Sequence, residues 1–498
     1  MKKWLLMIVA GFMIQPVRAI EPDVEDTILL YGNAFAEHLQ QDGTFEALVH
    51  QRFPTHRLQV RSLAWTGDTV GFRLRPNGYV NHLRNLLEAW PANLVLACFG
   101  MNESLGGTEG LARFKNDLRI YIEELKIRHP EARFVLVSPI AVEDLQNPLL
   151  PDTAQRNRQV EQYVTAMNEE ADKAEIAFID LFRPTISLYE KTPEPLTENG
   201  IHLNKPGIRK VAEQLQGALF PGRQPSRLKE RQFARLHHAV KDKVFHVTQR
   251  VRPLNGVHYY GVRARSYEYN SEMPRLDDLI KNRDERIWAY AEGKVFETPI
   301  DDSRITPLHE VARGGARSAY ADRINSPEET RRKFHIHDRI EVDLFASEID
   351  FPDLINPIQM KFDMQGRLWV ATIPTYPIWV PGEKPDDRIL ILEDTDGDGK
   401  ADKQTVFAEG LNLPDGLVLT PEGAIVSLQP RLVHLKDTDG DDRADEEIEL
   451  FRGFDCTDTH HGGMLSRGPD GLIYVNDGVF HRSQVETPWG VCRNRDSS

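Results

Sequence analysis

The stretch ILLYGNAFAEHL, Ile28 to Leu39, sets the fold of the first half of the chain. Its first residues are apolar and β-prone, Gly32 and Asn33 break the run, and a helix-compatible segment follows. A buried strand running through a tight turn into a helix is an arrangement that commonly displays a nucleophile. Here the exposed corner offers only Gly32, Asn33 and Ala34.

The same texture continues from about residue 25 to 220. TILLY, HRLQVRSL, NLVLACFG, RFVLVSPI and IAFIDLF have the length and character of strands. FKNDLRIYIEEL puts Phe114, Leu118, Tyr121, Ile122 and Leu125 on one helical face. RNRQVEQYVTAMNEEADKA and KPGIRKVAEQL are further helices, the second with Asn204 as its cap and Pro206 in its first turn. Alternation of strand and helix predicts an α/β doubly wound parallel sheet, with functional groups at the carboxyl ends of its strands.

A length of 498 residues exceeds one hydrophobic core and predicts several domains. The formal net charge of −15 excludes nucleic acid as the main partner, since phosphate binding needs concentrated basic surface. MKKWLLMIVAGFMIQPVRA, with two lysines, an apolar run and Val17-Arg18-Ala19, reads as a signal peptide over residues 1–19. The expected location is therefore exported, periplasmic or extracellular, with membrane association only if that segment stays uncut. Cys98, Cys456 and Cys492 make no disulfide framework, although a Cys456–Cys492 bridge is open in an oxidising compartment.

Four blocks in the α/β region carry a resemblance. LLYGNA resembles the nucleophile elbow of the SGNH (GDSL) hydrolases. AWTGDT, FGMNES and ENGIHLN resemble the blocks that follow it. In that family a serine attacks an ester, a histidine oriented by an aspartate removes its proton, and N–H donors hold the oxyanion. The resemblance implies oxyanion donors at Gly67 and Asn102 and a base at His202, over an SGNH/flavodoxin-like domain of residues 25–220. Two positions depart from it. Ala34 holds the nucleophile position and Asn199 the aspartate position, so family-type hydrolysis is expected to be lost and an ester-, acyl- or glycan-binding pocket kept. The alternative is an active acylesterase with a displaced nucleophile at Ser104 or Ser62.

Residues 221–335 read as a helical connector, in which His237, His238 and His246 belong to a solvated helix rather than a metal site. From 336 to 498 the texture is β-rich. RILILEDTDGDGKADKQTVFAEGL from Arg388 and RLVHLKDTDGDDRADEEIELFRGF from Arg431 repeat at a blade-sized interval. At ~40 to 45 residues per blade, about four blades are the most this length supplies, which predicts a partial all-β propeller. Asp394, Asp396, Asp398 and Asp402 in one repeat, and Asp437, Asp439, Asp441 and Asp445 in the other, alternate as calcium ligands do in EF-hand-like loops. Asp442 stands where the second loop would have its glycine. DTHHGGMLSRGPDGLIYVNDG resembles the soluble quinoprotein glucose/sorbosone dehydrogenases. That resemblance implies pyrroloquinoline quinone as cofactor, with His460 facing it as the base for a sugar hydroxyl. The expected function is exported carbohydrate handling, with a carbohydrate or acylated glycan as partner. A non-enzymatic surface scaffold is the remaining alternative.

Overall fold

The structure, a computed structural model, describes residues 20–254, 256, 259, 269–308, 326–375, 382–456, 463–478 and 481–494. The leader segment and His460 lie outside the described residues.

The first half is built from β1 (Thr27–Gly32), α1 (Ala34–Asp42), α2 (Thr44–Arg52), β2 (Gln59–Ser62), α3 (Tyr79–Ala89), β3 (Leu94–Cys98), α4 (Gly107–Arg128), β4 (Arg133–Val137), α5 (Thr153–Lys173), β5 (Ala177–Ile179), α6 (Phe182–Lys191) and α7 (Lys205–Leu219). The strands form one sheet in the order β2-β1-β3-β4-β5, every neighbouring pair parallel. Alternate residues of β1 serve two different cores. Ile28 and Leu30 face the cluster shared with α2 and α7, and Leu29 and Tyr31 the cluster shared with α4 and α5. That is why the strand is apolar at every position rather than at every second one. On α4 the buried side chains are Phe114, Leu118, Tyr121, Ile122 and Leu125, the face expected from their spacing. Asn204 caps α7 by accepting from Gly207 N–H.

Two long helices follow, α8 (Glu230–Val251) and α9 (Tyr269–Ala291). They pack on each other and on α2 through Leu236, Val240, Ile287 and Ala47. Lys243 is fully buried there against Glu46 and, at 3.3 Å, Asp284, which also pairs with Arg61 of β2. This stretch is therefore a packed layer of the α/β body, not only a linker. His237 contacts Asp42, whose hydrogen bond pushes the imidazole pKa up, whereas burial pushes His246 down to about 3. Neither belongs to a metal-type cluster among the described residues.

The remainder is all β. Strands β6 (Pro357–Phe362), β7 (Leu368–Thr372), β8 (Asp387–Glu393) and β9 (Lys403–Leu411) form one antiparallel sheet in sequence order. A second sheet is made by β10 (Pro414–Thr420), β11 (Gly423–Leu428), β12 (Arg431–Lys436) and β13 (Glu446–Arg452). Hairpins β14 (Met464–Arg467) with β15 (Ile473–Asn476), and β16 (Gln484–Thr487) with β17 (Gly490–Arg493), follow. The sequence repeat occupies the third strand, acidic loop and fourth strand of each four-stranded sheet. Trp369, Ile389, Ile391 and Phe407 of the first share a core with Leu417, Val426 and Val433 of the second. Cys456 and Cys492 are not bridged: the first is buried and the second exposed.

Candidate functional site

Residues from four separate segments meet at the carboxyl end of the parallel sheet. β1 ends at Gly32, where an added Cβ would lie 2.5 Å from the Cys98 carbonyl oxygen of β3, so the close strand spacing requires glycine. Asn33 then caps α1, its side chain accepting from Phe35 N–H. This puts Ala34, fully buried, in the first turn with its N–H free to point into the site. Gly67 follows β2 with φ +78°, a left-handed turn. Asn102 follows β3. His202 and Asn199 lie between β5 and α7. Ala34, Gly67, Asn102, Asn199 and His202, all expected from the sequence, thus converge on one place.

The place is already filled. One carboxylate oxygen of Glu486, on β16, accepts from Asn102 Nδ2 at 2.8 Å, Gly67 N–H at 3.2 Å and Ala34 N–H at 3.4 Å. Its other oxygen lies 3.5 Å from His202 Nε2. The donors expected to face an acyl or glycan group face Glu486 instead. Burial pushes the Glu486 carboxyl pKa up, but His202, Asn102 and Gly67 outweigh it and hold the group below the ordinary carboxylate range. Beside it, burial lifts Glu103 to about 7, with the Glu486 charge adding to the rise.

Asn199 fixes the state of His202. Its amide oxygen accepts from the backbone N–H groups of Ile201 and His202, at 3.3 and 3.1 Å, so its NH₂ half is the one facing His202 Nδ1 at 3.0 Å. Nδ1 must then be the acceptor, and the ring proton sits on Nε2. An aspartate would impose the opposite tautomer and leave Nε2 free to take a proton. With asparagine, His202 offers the site a donor and no base.

The displaced-nucleophile alternative finds no exposed hydroxyl. Ser104 is fully buried, donates to Met101 O at 2.6 Å and accepts from Arg156. Ser62 is buried and accepts from Ala64 N–H.

A second set of contacts fastens the β region to the same rim. Gln484 Nε2 donates to Thr66 O and Asp68 Oδ1, and Arg493 donates to Gly67 O at 2.7 Å. Arg452 of β13 and Arg252, just past α8, both pair with Glu37 of α1 at 3.2 Å, and Glu449 reaches His38 at 3.1 Å. Glu486, Glu37 and Glu449 were not singled out from the sequence. Their partners lie hundreds of residues away, and nothing in QVETPWGV marks an acid that enters a pocket.

In the acidic loops, Asp394, Asp396 and Asp398 bring carboxylate oxygens within 4.8 Å of one another, as do Asp437, Asp439 and Asp441. Asp402 and Asp445 are not among these groups; each accepts from a threonine of its loop, Thr395 or Thr438. Asp442 adopts φ +64° in place of glycine and pairs with Arg367 at 2.9 Å.

Residues 31–210 match the GDSL-like Lipase/Acylhydrolase family, and residues 326–496 match a domain of unknown function, DUF7133. Nothing among curated proteins matches the chain. Similar solved structures include a gut microbial diltiazem-metabolizing enzyme, at 18% identity and a TM-score of 0.33, covering 40% of this chain and 48% of that one. A catalytic mutant of an acetylxylan esterase from Geobacillus stearothermophilus is 15% identical with a TM-score of 0.32, covering 42% of this chain and 99% of its own. Four sequence blocks in family order, brought together on a parallel sheet of order 2-1-3-4-5, make residues 31–210 a GDSL-like lipase/acylhydrolase domain, followed by an all-β region.

Proposed function

We propose that this is an exported carbohydrate-handling protein whose GDSL-like domain binds rather than hydrolyses, joined to blades of a quinoprotein-dehydrogenase-like propeller. The observation that carries the non-hydrolytic part is the pairing of Ala34 with the Asn199-held tautomer of His202. A methyl group cannot attack a carbonyl, and an imidazole with its proton on Nε2 cannot take one from a nucleophile. Oxyanion donors alone leave about 10³ to 10⁴ over water, well short of an esterase. The test is p-nitrophenyl acetate turnover together with fluorophosphonate labelling. No burst and no label are expected, whereas a label on Ser104 or Ser62 would restore the esterase reading.

The redox part rests on sequence resemblance. His460 is its assigned base, and pyrroloquinoline quinone is the group that would accept hydride from a sugar. Loss of quinone binding in His460→Ala, followed by tryptophan fluorescence, is the outcome expected. Calcium is assigned to the three converging carboxylates of each acidic loop, where hard oxygen donors suit a hard cation. Its addition should raise the thermal midpoint, and an unchanged midpoint would leave these loops as Asp/Gly turns.

A further inference from the structure

Toward Glu486 the described residues present three hydrogen-bond donors. Ala34 N–H, Gly67 N–H and Asn102 Nδ2 come from three different segments and meet on a single oxygen, while His202 Nε2 lies 3.5 Å from the second without a hydrogen bond to it. Three donors converging on one oxygen hold a carboxylate oxygen more strongly than a neutral ester or hydroxyl oxygen, because charge-assisted hydrogen bonds are the stronger ones. The N-terminus of α1 adds positive potential at Ala34. The occupant is buried, 2% exposed, so its charge persists only because the donors replace its water.

Glu486 is delivered there by the hairpin, not left there by accident. Gln484 and Glu486 lie on the same face of β16, two residues apart, and grip opposite sides of one turn. Gln484 takes Thr66 O and Asp68, Glu486 takes Gly67 N–H, and Arg493, the cross-strand neighbour of Gln484, takes Gly67 O. An added Cβ at Gly67 would meet Gln484 Cβ at 2.5 Å, so the glycine also gives the hairpin its close approach.

We infer that the former oxyanion hole is a carboxylate-binding site whose resident ligand is the chain's own Glu486, and that a small free carboxylate takes the same seat when Glu486 is removed. The hole thereby fastens the β region to the α/β domain. This rests on the non-hydrolytic reading, because a working esterase must keep that hole open for substrate.

The experiment uses the full chain with Glu486→Ala and acetate as the probe. Removing the side chain should lower the thermal midpoint by about 4 °C or more. Sodium acetate should return a good part of that loss and bind in isothermal titration, while sodium chloride at equal ionic strength should do neither. Glu486→Ala combined with Asn102→Ala should not respond to acetate. Equal rescue of both variants, or no loss in Glu486→Ala, overturns the inference. If Glu486→Ala does not fold, Glu486→Gln decides. Its neutral amide oxygen accepts the three donors more weakly than a carboxylate does, so hydrogen exchange at the Ala34 and Gly67 amides should speed up about tenfold or more. Exchange as slow as in the unmodified chain overturns it. Ester turnover is measured separately, so acetate binding without turnover and turnover without acetate binding identify which reading has failed.

Discussion

Asn199 controls His202 by which half of its amide faces the ring. An aspartate there would accept Nδ1–H, move the ring proton and turn Nε2 into a base. Ala34→Ser with Asn199→Asp should therefore supply nucleophile and base, yet leave p-nitrophenyl acetate untouched while Glu486 holds the oxyanion donors. Adding Glu486→Ala should raise nitrophenolate release by about 10²-fold over the double variant, the scale of oxyanion-hole effects, and His202→Ala should abolish it. A double variant as active as the triple would show that Glu486 does not block the site. One position earlier, Asn33 caps α1 rather than supporting a nucleophile. Asn33→Ala should cost about 1 kcal/mol in denaturant unfolding, the usual worth of such a cap.

At the scale of elements, the hairpin β16–β17 and the turn at Gly67 are one fitted unit. Gly67→Ala forces a side chain into left-handed backbone, at about 1 to 3 kcal/mol, and into the Gln484 side chain as well. Proteolysis and hydrogen exchange should show residues 484–493 released while the parallel sheet stays protected. Ala34, Gly67, Asn102, Asn199 and His202 were legible in the sequence because they stand in short, ordered blocks, whereas Glu103, beside them, carried no such mark. The five strands themselves and the paired acidic repeats of β8–β9 and β12–β13 were legible for the same reason: strand period and turn chemistry are local. Glu486 was not, since its meaning depends on an approach between distant segments. The layer made by α8 and α9 was half legible. Their helical pattern was plain, but the burial of Lys243 depends on Glu46 and Asp284 arriving from elsewhere.

For the molecule as a whole, carboxylates bind the β region to the α/β domain, so acid should weaken the join. Burial pushes the Glu37 carboxyl up, but Arg252, Arg452 and the Thr66 donors hold it at about 2, below its ordinary 4.5. A folded value below the unfolded one means stability that is complete above pH 4.5 and lost as the pH falls toward 2. Glu449 and Glu486 are shifted the same way. The thermal midpoint should drop through that window, and Glu37→Gln should flatten the drop. A drop of equal steepness in the variant would place the acid sensitivity elsewhere. The distance along the chain between lock and key has a kinetic consequence. Ala34 and Glu486 are 452 residues apart, so their contact closes a very long loop and is slow to find. Contact order predicts that the parallel sheet, made of nearer contacts, assembles first with its anion seat vacant. For that interval a newly made chain is open to any carboxylate around it, and the arrival of its own Glu486 marks the end of folding.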